Sequence, residues 1–216
     1  MRSRRLFRIG GIVSGVVLVA FGIVVIVLAV NGHSTVADEL KQQQITGSPD
    51  MTPAAIKAEA AKAGLKNVDL PTCDVAGQPI DDGNSARCFA QYMNIHALEA
   101  TGGYTYSQMG QFQAKPDAPQ SQLSPGGGTS NPDYAVTDPA TGKPVPNGAR
   151  NIWVTETALA TALNMSYMAT QLSLFSLVVG IALLLAGVGF LVLATSGAFA
   201  GERASSEVPV GQTAAG

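Results

Sequence analysis

Two long apolar runs divide the chain. Ile9 to Val30 reads IGGIVSGVVLVAFGIVVIVLAV, Leu172 to Ala194 reads LSLFSLVVGIALLLAGVGFLVLA, and neither contains a charge. Each holds about the 20 apolar residues that a helix needs to cross a hydrocarbon core. The first run is longer than the roughly 7–15 residues of a signal-peptide core. No small-x-small cleavage pattern follows Ala29, so the run reads as a retained span.

Both runs continue into polar sequence that still favours helix. Asn151 to Gln171 contains neither Gly nor Pro, which predicts one helix from near Asn151 to Ala194. After the first span, HSTVADELKQQQI places His33, Val36, Leu40 and Gln44 on one helical stripe. Two helices protruding from the membrane would form a short stalk.

The middle of the chain has its own punctuation. Thr52 reads as an N-cap, Pro53 as the first helical residue and Gly64 as the stop, enclosing AAIKAEAAKA. LKNVDL then returns apolar side chains toward a core, and the turn-rich PTCDVAGQPIDDGN leads to a helix start near Asn84 or Ser85. SARCFAQYMNIHALEA reads as helix until Gly102 and Gly103 stop it. On it Cys88, Gln91 or Tyr92, Ile95, and Leu98 or Glu99 share a buried face. YTYSQMGQF fits either a short strand or a helical turn. Seven of the twelve prolines fall between Lys115 and Gly148, so this stretch reads as a surface loop with a turn at DPATGKPVPNG.

The fold class expected is therefore mostly α: a transmembrane helical hairpin, a protruding helical stalk and a small disulfide-stabilised helical ectodomain. Its divisions are an N-terminal segment (1–8), a first span (9–30), a membrane-proximal stalk (31–50), a helical ectodomain (51–114), a Pro/Gly-rich loop (115–150), a stalk helix (151–171), a second span (172–195) and a disordered tail (196–216).

Charge orients the arrangement. Arg2, Arg4, Arg5 and Arg8 precede the first span, whereas Asp38 and Glu39 follow it, which places both termini in the cytoplasm and residues 31–171 outside. That outer segment carries 13 acids against 8 Lys or Arg, which argues against nucleic acid as a partner. With 46% hydrophobic and 13% charged residues, the composition is that of a membrane protein. The bilayer is one partner, and a membrane protein or a second copy of the chain is another. Gly11 with Gly15, and Gly180, Ala182 and Ala186, are small residues at spacings that let helices approach closely.

Candidate chemistry is sparse. Cys73 and Cys88 are the only cysteines, and an oxidising compartment makes their pairing the default. His96 stands among apolar neighbours and reads as structural, without a nucleophile or triad at recognisable spacing. No local zinc, calcium or phosphate-loop pattern occurs, and no cofactor is expected. The sharpest chemical possibility comes from depth: His33, Met165 and Met168 would lie near one membrane surface and form a soft set suited to Cu(I).

The stretches PTCDVAGQPIDDGNSARCFAQYMNIHALEATGGYTYSQMGQF and RNIWVTETALATALNMSYMATQLSLFSLVVGIALLLAGVGFLVLA resemble a group of actinobacterial two-span membrane proteins of unknown function. Some of these are called aromatic ring-opening dioxygenase subunits. Such an activity would need an iron held by two histidines and a carboxylate. Only His33 and His96 are present, far apart in the chain. The reading is thus an accessory or structural subunit of a membrane or envelope complex that acts by protein binding. A membrane-surface copper or redox-linked accessory protein ranks second and an enzyme third.

Overall fold

The computed structural model describes residues 2–196. The expected cytoplasmic tail lies outside the described residues from 197 onward. Four α-helices carry the fold: α1 (Arg2–Gln42), α2 (Pro53–Lys62), α3 (Gly83–Ala100) and α4 (Gly148–Thr195). Among the described residues there is no regular strand, only isolated bridges and three short 3-10 turns. Both α1 and α4 are long and apolar enough to cross a membrane. The chain divides into two compact units, one made of residues up to Ala29 and from Phe175 onward, the other of Val30–Leu174.

In the first unit α1 and α4 meet at small residues. A Cβ on Gly15 would lie 2.7 Å from the Leu191 side chain and 2.9 Å from the Gly187 carbonyl; one on Gly22 would lie 2.8 Å from the Leu184 amide. Gly15, Gly22 and Ala29 are buried on α1, as are Gly180, Gly187 and Ala194 on α4. Without a water-driven hydrophobic force between helices in lipid, such backbone approach is what holds a helix pair. Gly11 is half-buried at this face. Ala182 and Ala186 are exposed, because the contact stripe repeats every seven residues through Gly180 and Gly187 and they stand off it.

The second unit is built around α3. It starts at Gly83, one or two residues before the expected start near Asn84 or Ser85, because Asp82 is the N-cap: the Ser85 amide donates to Asp82 at 2.8 Å, and the Asp82 amide donates to the Ser85 hydroxyl. Thr52 caps α2 with Pro53 at its first position, and Gly64 follows the end at φ +70°. Cys88, Tyr92 and Ile95 of α3 are buried against Ile56 and Ala60 of α2 and Leu163 of α4. Cys73 and Cys88 form a disulfide that fastens the 71–82 crossing to α3. Tyr92 is fully buried, and its hydroxyl donates to the Cys73 carbonyl at 2.7 Å.

Leu40 packs into this core and Val36 beside it, but Gln44 falls off the expected stripe: α1 ends at Gln42, and Gln44 turns the chain at φ +51°. Gly47 lies so close to Val75 that a Cβ would strike its carbonyl, which seats the turn before α2. A second cluster joins Ala97, Met109 and Trp153, and the Trp153 indole donates to the Tyr104 carbonyl at 2.9 Å. YTYSQMGQF becomes a 3-10 turn over Tyr106–Gln108 followed by bridges at Phe112. Tyr104 and Tyr106 are exposed, and the Arg150 guanidinium lies 3.9 Å from the centre of the Tyr106 ring. The proline-rich stretch is an ordered meander in which Thr129 and Ala135 are fully buried.

Candidate functional site

The residues that the sequence marks for soft-metal chemistry are all exposed. Met165 and Met168 each stand two positions from a buried residue of α4, Leu163 or Thr170, and so lie about 200° around the helix from that face. His33 is exposed on α1.

His96 is differently placed. It sits near the C-terminal end of α3, four residues before Ala100 and beside buried Ile95, and its Nε2 lies 3.5 Å from an Asp50 oxygen and 3.6 Å from a Glu59 oxygen. Nε2 itself is shielded from solvent and has no hydrogen-bond partner. The three groups come from three elements: the turn before α2, α2 and α3. Each is anchored by a core residue next to it in sequence, Met51 for Asp50, Ala60 for Glu59 and Ile95 for His96.

The Asp50 carboxylate is oriented from its other side. The Ser48 hydroxyl donates to Asp50 Oδ1, leaving Oδ2 toward His96. This hydrogen bond is the main cause that holds the Asp50 carboxyl below its usual range; burial opposes it, and the field of His96 assists. The turn is closed by the Met51 amide donating to the Ser48 carbonyl at 3.0 Å. One imidazole and two carboxylates within 4.8 Å of one another are a donor set for a divalent ion.

His96 also borders an open groove of about 550 Å³. Met93, His96, Ala97 and Ala100 line it from α3 at helical spacing, and Gly148, Asn151, Ile152, Thr155 and Glu156 line it from α4. Glu156 is unusual there: it is only 5% exposed and carries a carboxylate. Its hydrogen bonds are long, 3.4 Å from the Asn94 amide and 3.3 Å from the Thr157 hydroxyl. The carboxylate is thus held by two neutral donors, and among the described residues no cation faces it.

Comparison with protein-family models, with curated proteins and with solved structures gives no match to this chain. Asp50, Glu59 and Glu156 are not marked by any local motif. The first two are brought to His96 only by the packing of α2 on α3, and Glu156 reaches the groove only because α4 packs Trp153 inward.

Proposed function

We propose that the chain is an integral membrane protein with both termini in the cytoplasm, α1 and α4 forming a transmembrane hairpin, and residues 31–171 outside. The exposed domain acts by protein binding, as an accessory subunit of a membrane or envelope complex. The observation that carries this reading is the groove between α3 and α4, an apolar floor with one buried carboxylate, Glu156, that neutral donors hold and no cation among the described residues faces. Such a surface suits an apolar segment of a partner that bears one Lys or Arg: the apolar part covers Met93 and Ile152, and the cation meets Glu156. The surplus of acids over bases in residues 31–171 favours the same sign of partner.

Two experiments test it. For topology, a membrane-impermeant thiol reagent labels Ala140→Cys in intact cells and leaves Gly211→Cys unlabelled; the opposite pattern ends the model. For binding, purification in mild detergent recovers a stoichiometric partner with the wild-type chain. Both Ile152→Lys, which puts a cation into the groove, and Glu156→Gln, which keeps the shape but removes the charge, reduce that recovery by at least about tenfold, the equivalent of 1.4 kcal/mol. Undiminished recovery with both variants excludes the groove as the binding surface.

A further inference from the structure

We propose that Asp50, Glu59 and His96 bind a divalent first-row transition ion such as Zn²⁺, and that this ion ties the turn before α2 to α2 and α3. Three observations converge on it. The first is spacing. Tetrahedral bonds of ~2.1 Å place neighbouring ligand atoms about 3.4 Å apart. The imidazole nitrogen lies 3.5 Å and 3.6 Å from the two carboxylate oxygens, close to such an edge and longer than a good N–H···O hydrogen bond.

The second is the state of His96 Nε2. It is screened from water and unpartnered, although buried polar nitrogens are nearly always satisfied. An ion seated between the three groups would occupy that nitrogen and neutralise the two carboxylates together. The third is support. Ser48 holds the far oxygen of Asp50, the type of outer contact that orients a metal-binding carboxylate, and all three ligands adjoin residues of the rigid core. The side chains of His96, Asp50 and Glu59 are 29%, 40% and 31% exposed, so an ion can enter from solvent.

The donor set selects the class of ion. One imidazole with two carboxylates suits zinc, manganese or iron(II) and offers no sulfur for Cu(I). Three protein ligands leave at least one position for water or for an anionic group of a bound molecule. The site is assembled from residues outside the membrane-spanning segments and stands whether or not the groove binds a protein partner.

The test uses the full-length chain in detergent, stripped with chelator and dialysed against Zn²⁺. One equivalent is retained per chain, and Co²⁺ in its place gives visible ligand-field absorption that Zn²⁺ abolishes. His96→Gln and Glu59→Gln each remove the retained equivalent, while Ser48→Ala, which only unfastens Asp50, weakens affinity about tenfold. His33→Gln and Met168→Leu leave it unchanged. An intact Cys73–Cys88 disulfide and unaltered Trp153 fluorescence show that each variant is folded. Retention of no ion by the folded wild-type chain overturns the proposal, and so does retention that survives His96→Gln or is lost with His33→Gln.

Discussion

Removing the cross-link between Cys73 and Cys88 tests the energetics of the unit Val30–Leu174 most directly. The bridge closes a loop with a sequence separation of 15, and the chain-entropy model gives about 3 kcal/mol for that length. Replacing both cysteines by alanine removes this constraint while keeping small apolar side chains, including at Cys88, which is 4% exposed. For a unit the size of Val30–Leu174, a loss of that order lowers the midpoint of thermal unfolding by roughly 10 °C. The chain supplies its own probe, since its single tryptophan, Trp153, is buried in this unit and its fluorescence shifts when the unit opens. The apolar spans contain no tryptophan, so their persistence in detergent does not mask the transition. Reductant should lower the wild-type midpoint to that of the double variant and leave the variant's own midpoint where it is. A difference below about 1 kcal/mol, or an equal effect of reductant on both proteins, would refute the assignment of stability to the cross-link.

Tyr92→Phe deletes the donor to the Cys73 carbonyl in a fully buried position and should cost about 1–3 kcal/mol by urea titration of Trp153 fluorescence. Gly22→Leu forces atoms against the Leu184 amide and the Gly180 carbonyl and should destabilise the helix pair by about 1–3 kcal/mol, read as a lower aggregation temperature in detergent. Gly189→Leu, with nothing within 4 Å of its Cβ position, should not shift it. Ser48→Ala should expose a pH signature. The Asp50 pKa is lowered from 3.8 in the folded chain, mainly by Ser48, so this contribution is fully present above that value and fades as pH falls through the lower folded value. The stability gap between wild type and Ser48→Ala, measured without metal, should therefore be open at neutral pH and close in acid.

Much of the fold was legible because its signals are local. Thr52, Pro53 and Gly64 delimit α2 through capping and backbone preferences that act within a few residues, and the Gly102–Gly103 break ends α3 for the same reason. Where local signals competed, the reading slipped. The start of α3 lies at Gly83, ahead of Asn84 and Ser85, because Asp82 caps it and Ser85 answers from the third helical position. The small-residue face of α4 passes through Gly180 and Gly187 and not Ala182 or Ala186, a choice made by the partner helix and not by composition.

The same boundary separates what the chain alone determined from what tertiary structure decided. Hydropathy and length established two membrane-competent helices, because crossing a bilayer demands an uninterrupted apolar run that sequence displays directly. The two cysteines announced their pairing because there was no other partner in the chain. His96 read as a lone structural residue, since nothing near it in sequence could share a proton or an ion with it. Packing of Ile56 and Ala60 against Tyr92 and Ile95 brings Glu59 and Asp50 beside it and turns an isolated imidazole into one corner of a ligand set. Proximity between distant residues follows from which apolar faces bury one another, and that is a property of the assembled core.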